Sequence, residues 1–169
     1  MVNVETYIKK DKIITSLENI NENHSQYFVH CKDKSCLQYI ENYDYIEGAI
    51  TIFCDGVMVL DFSHWDLVDQ LWSYIIDAIY ELSKGETQVQ VYFPDQPLKF
   101  EIQNVSAYML LVVIEERKIS VNKQEFIVAL LENAELFFSI LNKCNNEDLV
   151  LHSKVVLEKI KGIKKTNII

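Results

Sequence analysis

A histidine lies among several carboxylates in one short segment of this sequence, and such an arrangement can do acid–base chemistry. The segment contains Asp55, Asp61, His64 and Asp66. An imidazole beside carboxylates can act as a general base near neutral pH, and a divalent ion could join it. A structural interpretation is simpler, because Asp55 precedes a turn glycine, Asp66 can cap a helix and His64 can face solvent. A small enzyme with an acidic pocket around His64 is therefore the second hypothesis for this chain.

Other reactive or ligating side chains form no recognisable motif. Potential zinc ligands occur at His24, His30, Cys31 and Cys36, but paired short spacings are missing, and a buried thiol or a surface imidazole explains each residue. The glycines are too far apart for a dinucleotide fingerprint or a phosphate-binding loop, and neither a zinc-peptidase nor a serine-hydrolase motif occurs. We predict no metal, no cofactor and no catalytic residue.

The elements that must position these residues can be read from the middle of the chain onward. Two runs rich in β-branched residues flank Asp55-Gly56, which predicts a hairpin. Ser63 and Asp66 form a capping pattern for a helix that Gly85 would end. The further predicted elements are strands at 87–93, 98–103 and 108–114, a helix over 123–143 capped by Asn122, and a helix from Asn146 to about Lys161, stopped by Gly162.

The predicted fold class is α+β. We expect one domain over residues 1–169, with a mixed or antiparallel sheet of about five strands, helices packed on one face and two C-terminal helices. Residues 1–46 give no clear pattern and are expected to form short helices or edge strands, while residues 163–169 are expected to fray. The four cysteines are expected to be free thiols. Because the N-terminus has no secretory pattern and no apolar run could cross a bilayer, we expect a cytoplasmic protein.

Acidic residues dominate the middle of the chain. Between Asp33 and Glu101 there are thirteen acidic residues and three lysines, a local net charge of −10 against −9 for the whole chain. A field of that sign repels phosphates and favours basic partners. The short lysine-rich stretch near the C-terminus is explained by solvation and by the helix dipole. We therefore predict a basic protein partner and neither nucleic acid nor membrane.

Two sets of residues are candidate partner-binding sites. In the segment 39–47, tyrosines alternate with carboxylates; tyrosine gives a large rigid contact area, and acidic neighbours select basic partners. The alternative for this segment is a solvated connection whose tyrosines fold back on the core. The other set lies on the polar side of the helix predicted from Trp65. The first set is Glu41, Tyr43, Asp44, Tyr45 and Glu47, and the second is Asp66, Asp69 and Asp77.

Three short runs carry a resemblance to known proteins. They are Gly56-Val57-Met58-Val59-Leu60-Asp61, Trp65-Asp66-Leu67-Val68-Asp69-Gln70-Leu71-Trp72 and Phe93-Pro94-Asp95-Gln96-Pro97. The part of the chain from Gly48 to Val113 resembles small bacterial intracellular proteins of unknown function, some of which look like immunity proteins of toxin systems. The resemblance implies a protein that masks a toxin's active site by binding it, and it implies no catalytic residue.

The leading hypothesis is thus a non-enzymatic acidic protein that recognises a basic protein partner, with immunity or antitoxin function as its most specific form. A third hypothesis is a structural role through self-association, in which a sheet edge or face joins copies of the chain. The sequence does not determine the oligomeric state.

Overall fold

The computed structural model describes residues 1–40 and 45–166, which form two antiparallel sheets and four helices. The first sheet has the order β2-β1-β3-β4, with β5 also paired to β3, and the second has the order β6-β7-β8-β9. The strands are β1 (Val2–Lys9), β2 (Phe28–His30), β3 (Glu47–Cys54), β4 (Val57–Leu60), β5 (Asp66–Leu67), β6 (Gln88–Tyr92), β7 (Lys99–Asn104), β8 (Met109–Ile114) and β9 (Arg117–Asn122). The helices are α1 (Leu37–Ile40), α2 (Val68–Ser83), α3 (Lys123–Leu141) and α4 (Glu147–Lys164).

The predicted α+β class, with antiparallel pairing and two C-terminal helices, is confirmed. The strands are divided between two sheets, whereas the sequence pattern placed them in one. The N-terminal region accounts for part of this difference, because β1 is an inner strand that pairs with β2 on one side and β3 on the other. The expectation of only short helices or edge strands in that region was therefore wrong for β1.

Local signals explain several of these elements. The β3–β4 hairpin turns at Asp55 and Gly56, whose φ angles are 47° and 90°, as a turn with two positive φ angles requires. The side chain of Asn122 accepts a hydrogen bond from the backbone N–H of Glu125 at the start of α3, and Asn146 does the same for Leu149 in α4. These two predicted caps are confirmed.

Two predicted helix boundaries were wrong. The capping pattern before α2 belongs to a short 3₁₀ turn at Phe62–His64, whose N-cap is Asp61, and α2 itself begins at Val68 after a short strand. At the other end of the chain, α4 continues through Gly162 to Lys164, because Ile163 is buried in the core and its packing stabilises the last turn.

One continuous apolar core joins both sheets to α2, α3 and α4. At its centre, the indole N–H of Trp72 donates to Thr6 Oγ1 at 3.0 Å, Thr6 donates to Asn133 Oδ1, and Asn133 Nδ2 donates to the carbonyl of Val4 at 2.8 Å. Since each of these buried polar groups has a partner, the network fixes β1 against α2 and α3. Within the described residues, no helix combines the length and the apolar character that a membrane crossing needs.

Candidate functional site

The structure does not bring the predicted partner-binding residues together on one surface. Tyr45 is 63% exposed, and Glu47 is partly exposed with its carboxylate 2.8 Å from Lys9 Nζ. Asp77 lies elsewhere, on the exposed side of α2. Asp66 and Asp69 are both buried. The remaining predicted residues, Glu41, Tyr43 and Asp44, lie outside the described residues.

Asp66 has a structural role that its sequence position does not reveal. Its carboxylate is 3% exposed and accepts hydrogen bonds from the backbone N–H groups of Leu67 at 2.6 Å, Asp95 at 3.0 Å and Gln96 at 3.0 Å. The side chain of Gln96 also donates to the carbonyl of Trp65. Asp66 therefore attaches the β6–β7 turn of the second sheet to β5 of the first, and it is not available to a partner.

Asp69 is also removed from the surface. It is 7% exposed in the first turn of α2, and its Oδ1 has no hydrogen-bond partner among the described residues. Burial raises the pKa of this carboxyl, although backbone N–H groups and the nearby His152 oppose the rise. Both Asp66 and Asp69 are thus buried, whereas the sequence prediction placed them on an exposed patch together with Asp77.

His64 is buried between the carboxylates of Asp61 and Glu115, and it does not line the cleft that opens next to Trp65. Its Nδ1 lies 2.9 Å from Asp61 Oδ1, while its Nε2 lies 3.4 Å from Arg117 Nη2 and 3.9 Å from Glu115. Burial alone would raise the pKa of Asp61, but hydrogen bonds from His64 and Ser63 hold it well below its ordinary value. The expectation that His64 faces solvent was wrong: the imidazole links the 3₁₀ turn to the β8–β9 turn.

A cleft of about 420 Å³ opens next to Trp65. Its walls come from the segment Ile14–Leu17, from Trp65 to Leu67 and from the turn residues Asp95 and Gln96, with Glu47 at its edge. Lys9 Nζ lies 5.6 Å from the centre of the Trp65 ring and pairs with Glu47. The Trp65 ring and the Glu47 carboxylate therefore already have a cationic partner within this chain.

A larger groove, of about 660 Å³, lies between α2 and β6 and is called the α2–β6 groove below. It contains three carboxylates, two exposed tyrosines and no basic side chain; its lining residues are Tyr74, Asp77, Ala78, Glu81, Glu86, Gln88, Val89, Gln90 and Tyr92. Tyr74 is 42% exposed and Tyr92 is 59% exposed. The groove combines negative charge with rigid aromatic surface, the two features that were sought in the segment 39–47.

Two lysines at the margin of the groove pair with its carboxylates. Lys159 of α4 contacts Asp77, and Lys84 lies 3.5 Å from Glu81. Both lysines also lie over the ring of Tyr80, at 5.7 Å and 3.9 Å from its centre. Because these ion pairs are exposed to solvent, each contributes about 1 kcal/mol or less to stability. A cationic partner can therefore replace them at small cost.

Sequence reasoning identified Asp77 but missed the other residues of the groove. Glu81 follows Asp77 by one helical turn, so the polar face of α2 was a usable signal for it. Glu86 and Tyr92 belong to the turn and strand after the helix. Their position beside Asp77 results from the packing of β6 against α2, which periodicity within either element does not predict.

The cysteines and potential metal ligands of the described residues do not form a reactive centre. None of the four cysteines forms a disulfide in the part of the chain that the structure describes, and all four are buried. Burial raises the pKa of Cys31 to about 12 and the pKa values of Cys36 and Cys54 to about 11, so the nucleophilic thiolate is rare at neutral pH. No group of three or more His, Cys, Asp or Glu side chains in residues 1–40 and 45–166 is arranged to hold a metal ion.

Comparison with known proteins found no matching family model, curated protein or solved structure. The surfaces of this chain are therefore interpreted from their own chemistry.

Proposed function

We propose that this chain is a non-enzymatic binding protein whose α2–β6 groove recognises a basic protein partner. The observation that carries the proposal is the lining of the groove, in which Asp77, Glu81 and Glu86 lie beside Tyr74 and Tyr92, and the two lysines paired with Asp77 and Glu81 lie outside the lining. Carboxylates arranged in this way attract lysine and arginine and accelerate encounter with a cationic surface. The tyrosines add contact area at a low cost in conformational entropy.

Charge also restricts the class of partner. The net charge of −9 repels nucleic acids and anionic membranes, so a cationic protein surface is the complementary partner. Tyr45 is exposed and can add aromatic contact area, but Glu47 is partly buried and paired with Lys9, so this region adds little negative charge. The most specific form of this function is immunity or antitoxin activity, in which the chain covers the basic active site of a nuclease-like toxin. The resemblance of the part from Gly48 to Val113 supports that form.

A small enzyme centred on His64 is the second candidate, and one observation favours it: the imidazole is buried and lies 2.9 Å from Asp61. Its geometry is less favourable to catalysis than to structure. Nδ1 faces both the carboxylate and the backbone N–H of Asp61, and Arg117 is positioned to donate a hydrogen bond to Nε2, so both ring nitrogens already have partners. The cleft beside Trp65 is lined by Ser63 but not by His64.

Self-association through the α2–β6 groove is disfavoured by the same charges. Two copies that met groove to groove would bring Asp77, Glu81 and Glu86 of one chain against acidic residues of the other. Like charges placed together in an interface cost several kcal/mol. A basic partner meets no such penalty.

The proposal is tested by affinity capture from a lysate of the source organism, followed by quantitative mass spectrometry. The groove variant carries Asp77→Asn, Glu81→Gln and Glu86→Gln. The control variant carries the same change in charge at three exposed residues outside the groove, namely Glu18→Gln, Glu22→Gln and Glu116→Gln.

We expect the wild-type chain and the control variant to retain the same basic protein and the groove variant to lose it. The captured protein is then purified and its affinity measured at several salt concentrations, with tighter binding expected at low salt. Capture of no basic protein, or equal loss by both variants, would refute the proposed function.

A further inference from the structure

The groove runs along a strand edge whose backbone groups are open to pairing. β6 is at the end of the second sheet and pairs with β7 and no other described strand. An unpaired edge presents a row of N–H and C=O groups that can pair with another chain, and proteins usually protect it with a lysine, a proline or a bulge. β6 has the sequence Gln-Val-Gln-Val-Tyr and contains none of these protections.

The hydrogen bonds at the two ends of the β6–β7 ladder show which residues face the open side. The N–H of Phe93 donates to the carbonyl of Leu98 at 3.0 Å, and the N–H of Asn104 donates to the carbonyl of Thr87 at 2.7 Å. Because bonding alternates along an antiparallel ladder, the odd-numbered residues of β6 bond to β7. The backbone groups of Gln88, Gln90 and Tyr92 therefore face away from β7.

We propose that the basic partner binds by adding an extended segment to β6 as a new antiparallel strand. This inference rests on the proposed function and specifies how the groove is occupied. Every strand pair in the described residues is antiparallel, and a segment of about five residues, or roughly 17 Å, would match the length of β6. Backbone hydrogen bonds would supply affinity, and alternate side chains would supply specificity.

Side chains alternate between the two faces of a strand, and this alternation determines which residues of the added strand should be basic. Residues opposite Gln88, Gln90 and Tyr92 would bond to β6 and carry their side chains on the outer face of the sheet. The intervening residues would point to the face against which α2 packs, where Asp77 and Glu81 line the groove. The preferred segment therefore has lysine or arginine at every second position, and the N–H groups of those basic residues do not bond to β6.

The test uses a short capped peptide that alternates threonine with lysine, and two N-methylated forms of it with the same charge. N-methylation removes a backbone donor. Methylation at the threonines removes the donors that face β6, and loss of about three hydrogen bonds predicts a rise in Kd of roughly tenfold to a hundredfold. Methylation at the lysines removes donors that face away, so the Kd is expected to stay within about threefold of the unmethylated value. Calorimetric titration measures all three.

Two variants of this chain test the same backbone pairing by changing β6 instead of the peptide. Gln90→Pro removes an outward N–H that does not take part in the β6–β7 ladder, whereas Gln90→Ala removes only the side chain. We expect Gln90→Pro to weaken peptide binding about tenfold relative to Gln90→Ala. Circular dichroism and thermal unfolding check that both variants are folded. If Gln90→Pro does not fold, the methylated peptides alone test strand addition.

The outcomes separate this inference from the proposed function. If the groove variant with its three neutralised carboxylates loses the peptide but both methylated forms bind like the parent, strand addition is wrong and charge recognition by the groove stands. Absence of binding by the unmethylated peptide at millimolar concentration would also overturn strand addition, and capture from the lysate then judges the proposed function separately.

Discussion

Asp66→Asn provides the most direct test of the structural role assigned to a residue that the sequence placed at the surface. In the wild-type chain, the carboxylate of Asp66 accepts from the backbone N–H groups of Leu67, Asp95 and Gln96. Asparagine has nearly the same shape but only one oxygen, and its NH₂ group cannot accept a hydrogen bond. At least one of the three N–H groups therefore loses its acceptor inside the protein.

The size of the effect follows from these contacts. A hydrogen bond to a charged acceptor contributes about 1.5 to 3 kcal/mol, and a buried N–H left without an acceptor costs a similar amount. We expect Asp66→Asn to lower the free energy of unfolding by about 3 kcal/mol. For a chain of 169 residues, that loss corresponds to a decrease in Tm of roughly 10 °C.

The assay is urea denaturation at pH 7, followed by the fluorescence of the two tryptophans, together with a thermal scan. Asp95→Asn is the matched control, because it makes the same chemical change in the same turn while keeping the backbone N–H that Asp66 binds. The control is expected to stay within about 0.5 kcal/mol of wild type. If Asp66→Asn does so as well, the carboxylate does not hold the two sheets together and the reasoning is refuted.

Two further changes test other parts of the structure. Asp61→Asn is expected to lower the free energy of unfolding at pH 7 by about 2 kcal/mol, because the carboxylate loses its hydrogen bonds with His64 and Ser63. The pKa of Asp61 is depressed in the fold, so the stability difference between the variant and wild type should be complete above pH 3.8, the ordinary pKa of this group, and should narrow as the pH falls below that value. A stability difference that does not change with pH would contradict this assignment. Gly48→Ala would place a Cβ against the carbonyl oxygen of Tyr7 in the neighbouring strand, so we expect the free energy of unfolding, measured by chemical denaturation, to fall by about 3 kcal/mol. A stability equal to that of wild type would show that the two strands are not packed so closely.

Much of the local structure could be predicted because its causes are close together in the chain. Asp55-Gly56 forms the hairpin turn because adjacent residues adopt positive φ angles there, and Asn122 caps α3 through an N–H three residues away. The prediction that Ser63 and Asp66 cap α2 was wrong for a reason that is also local. Asp61 and His64 satisfy the capping pattern of a shorter 3₁₀ turn, so a local rule operated a few residues earlier than predicted.

The candidate site was harder to predict because it depends on contacts between distant parts of the chain. Asp69 follows the polar periodicity of α2 but is buried, since the first turn of the helix packs close to Ile46 and His152. Asp77 was correctly placed on an exposed face. Its neighbours in the groove come from the next strand, and their meeting with α2 is a consequence of sheet packing.

The sequence by itself determined the α+β class, the hairpin, the caps of α3 and α4 and the negative charge, because each of these follows from composition or from residues a few positions apart. Only the tertiary structure decided which carboxylates remain in water. Asp66 meets N–H groups 29 and 30 residues away and is buried with them, whereas the carboxylates of the α2–β6 groove stay exposed beside the outer edge of β6. The physical reason is that burying a carboxylate costs free energy unless donors compensate its lost hydration, and the fold alone brings such donors to Asp66.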